Sequence, residues 1–177
     1  MTARKRLLGL DPGLQRTGWG IIEVEGNKLA HLAHGVVSSV RTKSLSERLV
    51  ELYDGLSAVI ETWMPDEAAV EETFVNKNPR STLKLGQARG VALLVPGLKG
   101  LPVSEYAPNM VKKTVVGVGH ADKQQIRAMV GVLLPGTGVE SEDAADALAV
   151  AICHAHMAQT RDLQFRGEEA LAQGPAR

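Results

Sequence analysis

A chain of 177 residues has room for one sizeable hydrophobic core and little room for two. Its 44% hydrophobic content and zero formal net charge exclude a disordered or polyelectrolyte chain. Cys153 is the only cysteine, which excludes an internal disulfide framework and suits a reducing compartment. No apolar run is long enough for a bilayer, and the few apolar residues after the basic opening are too few for a signal-peptide core. The expected location is the cytoplasm.

Residues 5–11 read as a buried strand ending at Asp11, turned by Pro12 and Gly13 into a second strand over 17–24. The Glu25-Gly26-Asn27 turn returns the chain through a third strand at 28–38, so the chain opens as an antiparallel meander. Leu45, Leu49, Leu52, Leu56, Val59 and Ile60 recur at helical spacing, and that helix ends before Pro65. A short strand over 67–73 carries Glu71, and a loop at 76–79 leads into a helix over 80–95 with Gly86 and Gly90 as close-packing points. A fifth strand at 101–106, a short helix at 110–116 and a glycine-rich loop follow. Asp122 opens the next helix with Gln125 placed to complete a capping box, and Ser141 is the N-cap expected for a last helix over 142–159. The expected architecture is one α/β domain over 1–160, a mixed five-stranded sheet flanked by helices, with a polar, disordered tail over 161–177.

Four acids stand at the edges of apolar segments: Asp11 in LLGLDPG, Glu71 in AAVEETF, and Asp143 with Asp146 in EDAADALAVA. Burying an unpartnered acid is costly, and several together call for a shared cation. Hard ions such as Mg²⁺ prefer carboxylate oxygens. Two of them roughly 3.5–4 Å apart clamp a phosphodiester for attack by water, one activating the nucleophile and the other stabilising the departing 3′ oxygen. Asp143 and Asp146, three residues apart, share a helical face near its N-terminus, where the helix dipole favours negative charge even without a metal. That alternative does not reach Asp11 or Glu71.

Charge is unevenly distributed. Between residues 74 and 135, Lys77, Arg80, Lys84, Arg89, Lys99, Lys112, Lys113, Lys123 and Arg127 face only Glu105 and Asp122, a local balance of +7. The remainder carries −7. A basic face beside an acidic pocket suits a nucleic-acid partner; solvated helix-surface lysines are the plainer reading.

At these residues the sequence resembles the RuvC family of Holliday-junction resolvases, from Leu8 to about His156. GLDPGLQRTGWG, VEETFVNKNPRSTLKLGQARG, EYAPNMVKKTVVGVGHADKQQI and DAADALAVAICHAH stand in the family's order. The resemblance implies a ribonuclease H-like fold, a homodimer and Mg²⁺-dependent resolution of four-way DNA junctions by paired nicks that leave 5′-phosphates. Mn²⁺ is the expected substitute. It assigns Asp11, Glu71, Asp143 and Asp146 as catalytic metal ligands, choosing Glu71 over Glu72 by its spacing from Phe74. Some relatives carry histidine at the position of Asp146.

Phe74 becomes a base-stacking candidate rather than a core phenylalanine. Lys112 and Lys123 become candidates for phosphate positioning and charge stabilisation. Lys77, Arg80, Lys84, Arg89 and Lys113 are candidate DNA contacts, with plain surface charge as the alternative. RuvA and RuvB are implied as branch-migration partners, by resemblance alone. His31, His34, His154 and His156 carry no evident chemistry, His120 is a possible phosphate contact in its loop, and Trp19 and Trp63 read as packing residues. A nuclease of RNA–DNA hybrids, an actin-like ATPase and a silent junction-binding protein are the competing readings.

Overall fold

The computed structural model describes residues 3–73 and 78–172. Strands β1 (Lys5–Asp11), β2 (Arg16–Glu25) and β3 (Lys28–Ser38) form the antiparallel meander. A two-residue loop joins β2 to β3, and Gly26 at its first position takes φ 59°, a value that suits glycine. β4 (Glu67–Glu71) runs parallel to β1, and β5 (Val103–Tyr106) runs parallel to β4. The sheet order is β3-β2-β1-β4-β5.

Helices cover both faces. Helix α1 (Leu45–Trp63) starts at a capping box between Ser44 and Glu47 and stops at Met64, whose left-handed φ of 47° precedes Pro65. Helix α2 (Pro79–Leu98) takes Pro79 as its first residue and Asn78 as its cap. Together they pack on Leu8, Leu10, Ile21 and Val70. Helices α3 (Pro108–Val116), α4 (Lys123–Leu133) and α5 (Glu142–Ala172) pack on the opposite face, against Leu7, Ile22 and Ala69. Successive β1 residues point to opposite faces, which is why Leu7 and Leu8 enter different cores.

Several boundaries differ from the sequence reading. β5 starts at Val103 rather than 101, and α3 at Pro108 rather than 110. β4 stops at Glu71 rather than 73, so that acid is the strand's last residue. Helix α2 extends to Leu98 and holds Pro96 in its last turn. Helix α5 runs on to Ala172, so residues 161–172, assigned to a disordered tail, are helical. That stretch lacks an apolar period but is rich in Glu, Ala, Leu, Gln and Arg, all good helix formers.

Helix α5 lies unusually close to the sheet. A Cβ on Gly9 would collide with the Ala147 carbonyl and with Ala151, and one on Gly18 would collide with the Asp143 backbone. Glycine at these two positions lets the helix descend onto β1 and β2. Ala144, Ala145, Ala147, Ala149 and Ala151 keep its own surface low.

Candidate active site at the carboxyl ends of the strands

Two acids leave the sheet side by side. Asp11 ends β1 and Glu71 ends β4, and Leu10 pairs with Val70 just before them in the parallel ladder. Helix α5 brings the other two. Gly18 is the register partner of Asp11, and the backbone of Asp143 rests on Gly18. Asp146 follows one turn later on the same helix face. The four acids therefore arrive from three elements whose relative positions the sheet ladder and the glycine contacts define.

Their charges interact strongly. Burial, then the negative charges of Glu71, Asp146 and Asp143, push Asp11 up to about 8, against the pull of Lys123. Burial and Asp146 raise Glu71 to about 7, although a hydrogen bond with Asp11 and the cations Lys112 and Lys123 work the other way. Asp146 is raised as well, by burial first, with Lys123 opposing and Asp143 adding to it. Acids this crowded want a cation.

Basic groups ring the cluster. Lys123 Nζ lies 2.9 Å from Glu142 Oε2 and 3.8 Å from Asp146 Oδ2. The expected capping box forms, with Gln125 N donating to Asp122 Oδ1 at 2.8 Å, and it starts α4 where Lys123 faces the acids. Arg16 Nε donates to Asp143 Oδ2 at 2.6 Å, and its other nitrogen reaches Ser141 Oγ at 3.3 Å. A cleft lined by Lys123, Gln124, Arg127, Glu142, Ala145 and Asp146 opens onto the cluster. Gln124 and Arg127 also line an open groove that runs on along α4 to Gly131.

The all-oxygen, crowded donor set suits a hard divalent cation. Among the described residues, no three such side chains stand ready in a closed metal-binding group. The reason is visible: Asp143 is turned to Arg16, and Asp11 is bonded to Glu71. The fit lies in the chemistry and crowding of the donors.

The remaining expected site residues divide. Lys112 on α3 is near enough to act on both Glu71 and Asp146, and Lys113 beside it is exposed. Arg80 and Lys84 are exposed on the first half of α2, which follows the β4 end that carries Glu71. Arg89, a candidate DNA contact, forms an ion pair with Glu105 that ties α2 to β5. Lys99 pairs with Glu61 at 2.6 Å, so the basic stretch is less open than its composition suggests. Phe74 and Lys77 lie outside the described residues.

Sequence reasoning missed Arg16, Ser141 and Glu142. Arg16 stands within the quoted GLDPGLQRTGWG block, but only the α5 crossing reveals its partner. His154 is 1% exposed and bridges Tyr106 Oη at 2.8 Å and Glu67 Oε2 at 2.9 Å. Glu67 begins β4, the end remote from Glu71, so His154 is a structural group. No helix among the described residues is long and apolar enough to cross a membrane.

Comparison with known proteins shows the family and the fold. The family described as crossover junction endodeoxyribonuclease RuvC matches residues 7–154. The protein of that name from Paramagnetospirillum magneticum is 64% identical over 151 residues, covering 85% of this chain and 91% of the relative. That from Allorhizobium ampelinum is 60% identical over 156 residues, covering 88% and 92%. Thermus thermophilus RuvC in complex with a Holliday junction substrate superposes with a TM-score of 0.82 at 32% identity, covering 88% of this chain and 96% of that one. The yeast mitochondrial Holliday junction resolvase shares the fold, with a TM-score of 0.67 at 13% identity. A mixed five-stranded sheet with flanking helices is thus the ribonuclease H-like arrangement of these enzymes, and the chain belongs to the RuvC family of crossover junction endodeoxyribonucleases, metal-dependent Holliday-junction resolvases.

Proposed function

We propose that this chain, as a homodimer in the cytoplasm, resolves four-way DNA junctions by paired symmetric nicks, with Asp11, Glu71, Asp143 and Asp146 as the catalytic carboxylates. The observation that carries the reading is the convergence of half-buried acids from β1, β4 and α5, with Asp11, Glu71 and Asp146 each raised by burial and by neighbouring carboxylates. Two Mg²⁺ ions, or Mn²⁺ in their place, would be held by these four acids and would supply an activated water and a stabilised 3′ leaving oxygen. The products carry 5′-phosphate and 3′-hydroxyl ends.

The chain's own groups do the positioning. Lys112 and Lys123 flank the acids and balance charge on the reacting phosphate. Arg80, Lys84 and Lys113 lie on helices that follow the same strand ends and grip the backbone, with Lys77. Phe74 stacks on an unpaired base at the junction centre. Arg89, anchored to Glu105 on β5, is a further contact to the DNA backbone from α2.

A dimer supplies the second nick, because a two-fold axis sets identical sites on a pseudo-symmetric substrate. Its face is on α2, where Leu83, Leu94 and Leu98 are 70%, 53% and 62% exposed. Gly86 and Gly90 lie between them with open space beyond their Cα atoms, which allows a second helix to approach closely. RuvA and RuvB are the proposed motor partners, on family grounds.

The test is cleavage of a synthetic mobile four-way junction in Mg²⁺, beside linear duplex and an RNA–DNA hybrid. Paired nicks in the junction alone, giving ligatable duplexes, are expected. Cutting of the hybrid in preference to the junction would replace this reading with a ribonuclease.

A further inference from the structure

Arg16 has no role in the functional reading above, yet it is bonded to one of the four acids. Its Nε lies 2.6 Å from Asp143 Oδ2, and its NH2 nitrogen lies 3.3 Å from Ser141 Oγ. The pair sits at the mouth of the site, with the Arg16 side chain 51% exposed and that of Asp143 30% exposed. A fixed staple between β2 and α5 would explain the contact, but the helix does not need one. Gly18 already receives the Asp143 backbone, and Gly20 receives Leu148, at separations that no side chain permits.

Charge gives a better reason. Four carboxylates gather at one place, and Asp143 is the one that a side-chain guanidinium engages directly. The second flanking cation, Lys123, is anchored to Glu142 at 2.9 Å and stands 3.8 Å from Asp146. Arg16 has no acidic partner besides Asp143 among the described residues. An exposed ion pair of this kind is weak and exchangeable. A hard divalent ion offers the carboxylate a stronger partner. An arginine released at that point presents a planar fork of donors where a phosphodiester must arrive.

We propose that Arg16 is an exchangeable counter-ion, holding Asp143 in the metal-free protein and passing to a phosphate oxygen of the DNA strand when a divalent ion takes that carboxylate. The inference rests on the metal-site reading of the four acids. It makes Arg16 a positioning residue that both delays metal entry and couples it to capture of the strand.

The test uses the full chain and two variants, Arg16→Met, which keeps the stem and loses the charge, and Arg16→Lys, which keeps the charge and loses the fork. Free Mn²⁺ is followed by its paramagnetic resonance during titration of DNA-free protein. Arg16→Met is expected to bind Mn²⁺ roughly two- to fivefold more tightly than wild type, the competition an exposed ion pair exerts, with Arg16→Lys between them. Junction binding in Ca²⁺, compared with metal-free buffer, supplies the second readout. Arg16→Met should lose about one unit of the salt slope only when the divalent ion is present. Unchanged or weaker Mn²⁺ binding by folded Arg16→Met would overturn the inference and leave a structural staple. Absence of Mn²⁺ binding by wild type and variants alike would overturn both the inference and the metal-site reading.

Discussion

At the scale of single residues, Asp11 and Glu71 hold the tension between folding and function. Their carboxyls are raised to about 8 and about 7, while in the unfolded chain they titrate in the ordinary range near ~4. Between those limits the folded protein binds more protons than the unfolded one. The stabilising protonation is therefore complete below the unfolded values and is lost as pH rises through about 7 to 8. The melting temperature of metal-free protein should fall between about pH 5 and about pH 9. Asp11→Asn should flatten that fall and melt higher than wild type at the alkaline end. Mg²⁺ should raise the melting temperature of wild type and leave that of the variant nearly unchanged. A flat wild-type profile would show that the acids do not repel as described.

At the scale of elements, function depends on how close α5 comes to β1 and β2. Gly18→Ala places a methyl group against the Asp143 carbonyl, where neither backbone can yield without moving the other. Overpacking of this kind costs about 1–3 kcal/mol, and here it also tilts the helix turn that carries Asp143 and Asp146. Urea unfolding should report the lost stability, and nicking should fall by more than stability alone explains. A variant as stable and as active as wild type would mean that the close approach is dispensable. Farther along α5, His154 bonds to Tyr106 and Glu67, and Glu67 to Lys5, tying the helix to three strands.

The strand-end acids were legible from sequence because apolar runs terminate on them, and the α5 pair because a run of alanines follows. The pairing of Arg16 with Asp143 joins residues 127 positions apart, so no local pattern announces it. The pairing of Arg89 with Glu105 was hidden for the same reason, since Glu105 comes from a strand that only the fold brings near. Helix α5 outran its expected end because helix propensity persisted after the apolar stripe had stopped.

At the scale of the whole molecule, one chain offers one acidic site, and junction resolution needs two. The exposed leucines of α2 form the proposed dimer face. Leu94→Glu should remove the dimer in sedimentation equilibrium while leaving the far-ultraviolet circular dichroism intact. The resulting monomer should lose paired nicking before it loses single nicks. A variant that remains dimeric would move the interface elsewhere.

The most direct test of the central claim separates binding from chemistry in a single sample. Asp146→Asn and wild type are mixed in turn with the same labelled junction, and complex formation and nicking are read together in Mg²⁺. The carboxylate is predicted to serve the metal rather than the DNA, so the variant should bind the junction nearly as well as wild type and cut it at a rate lower by orders of magnitude. Retained cutting, or loss of binding together with cutting, would contradict the assignment of these acids.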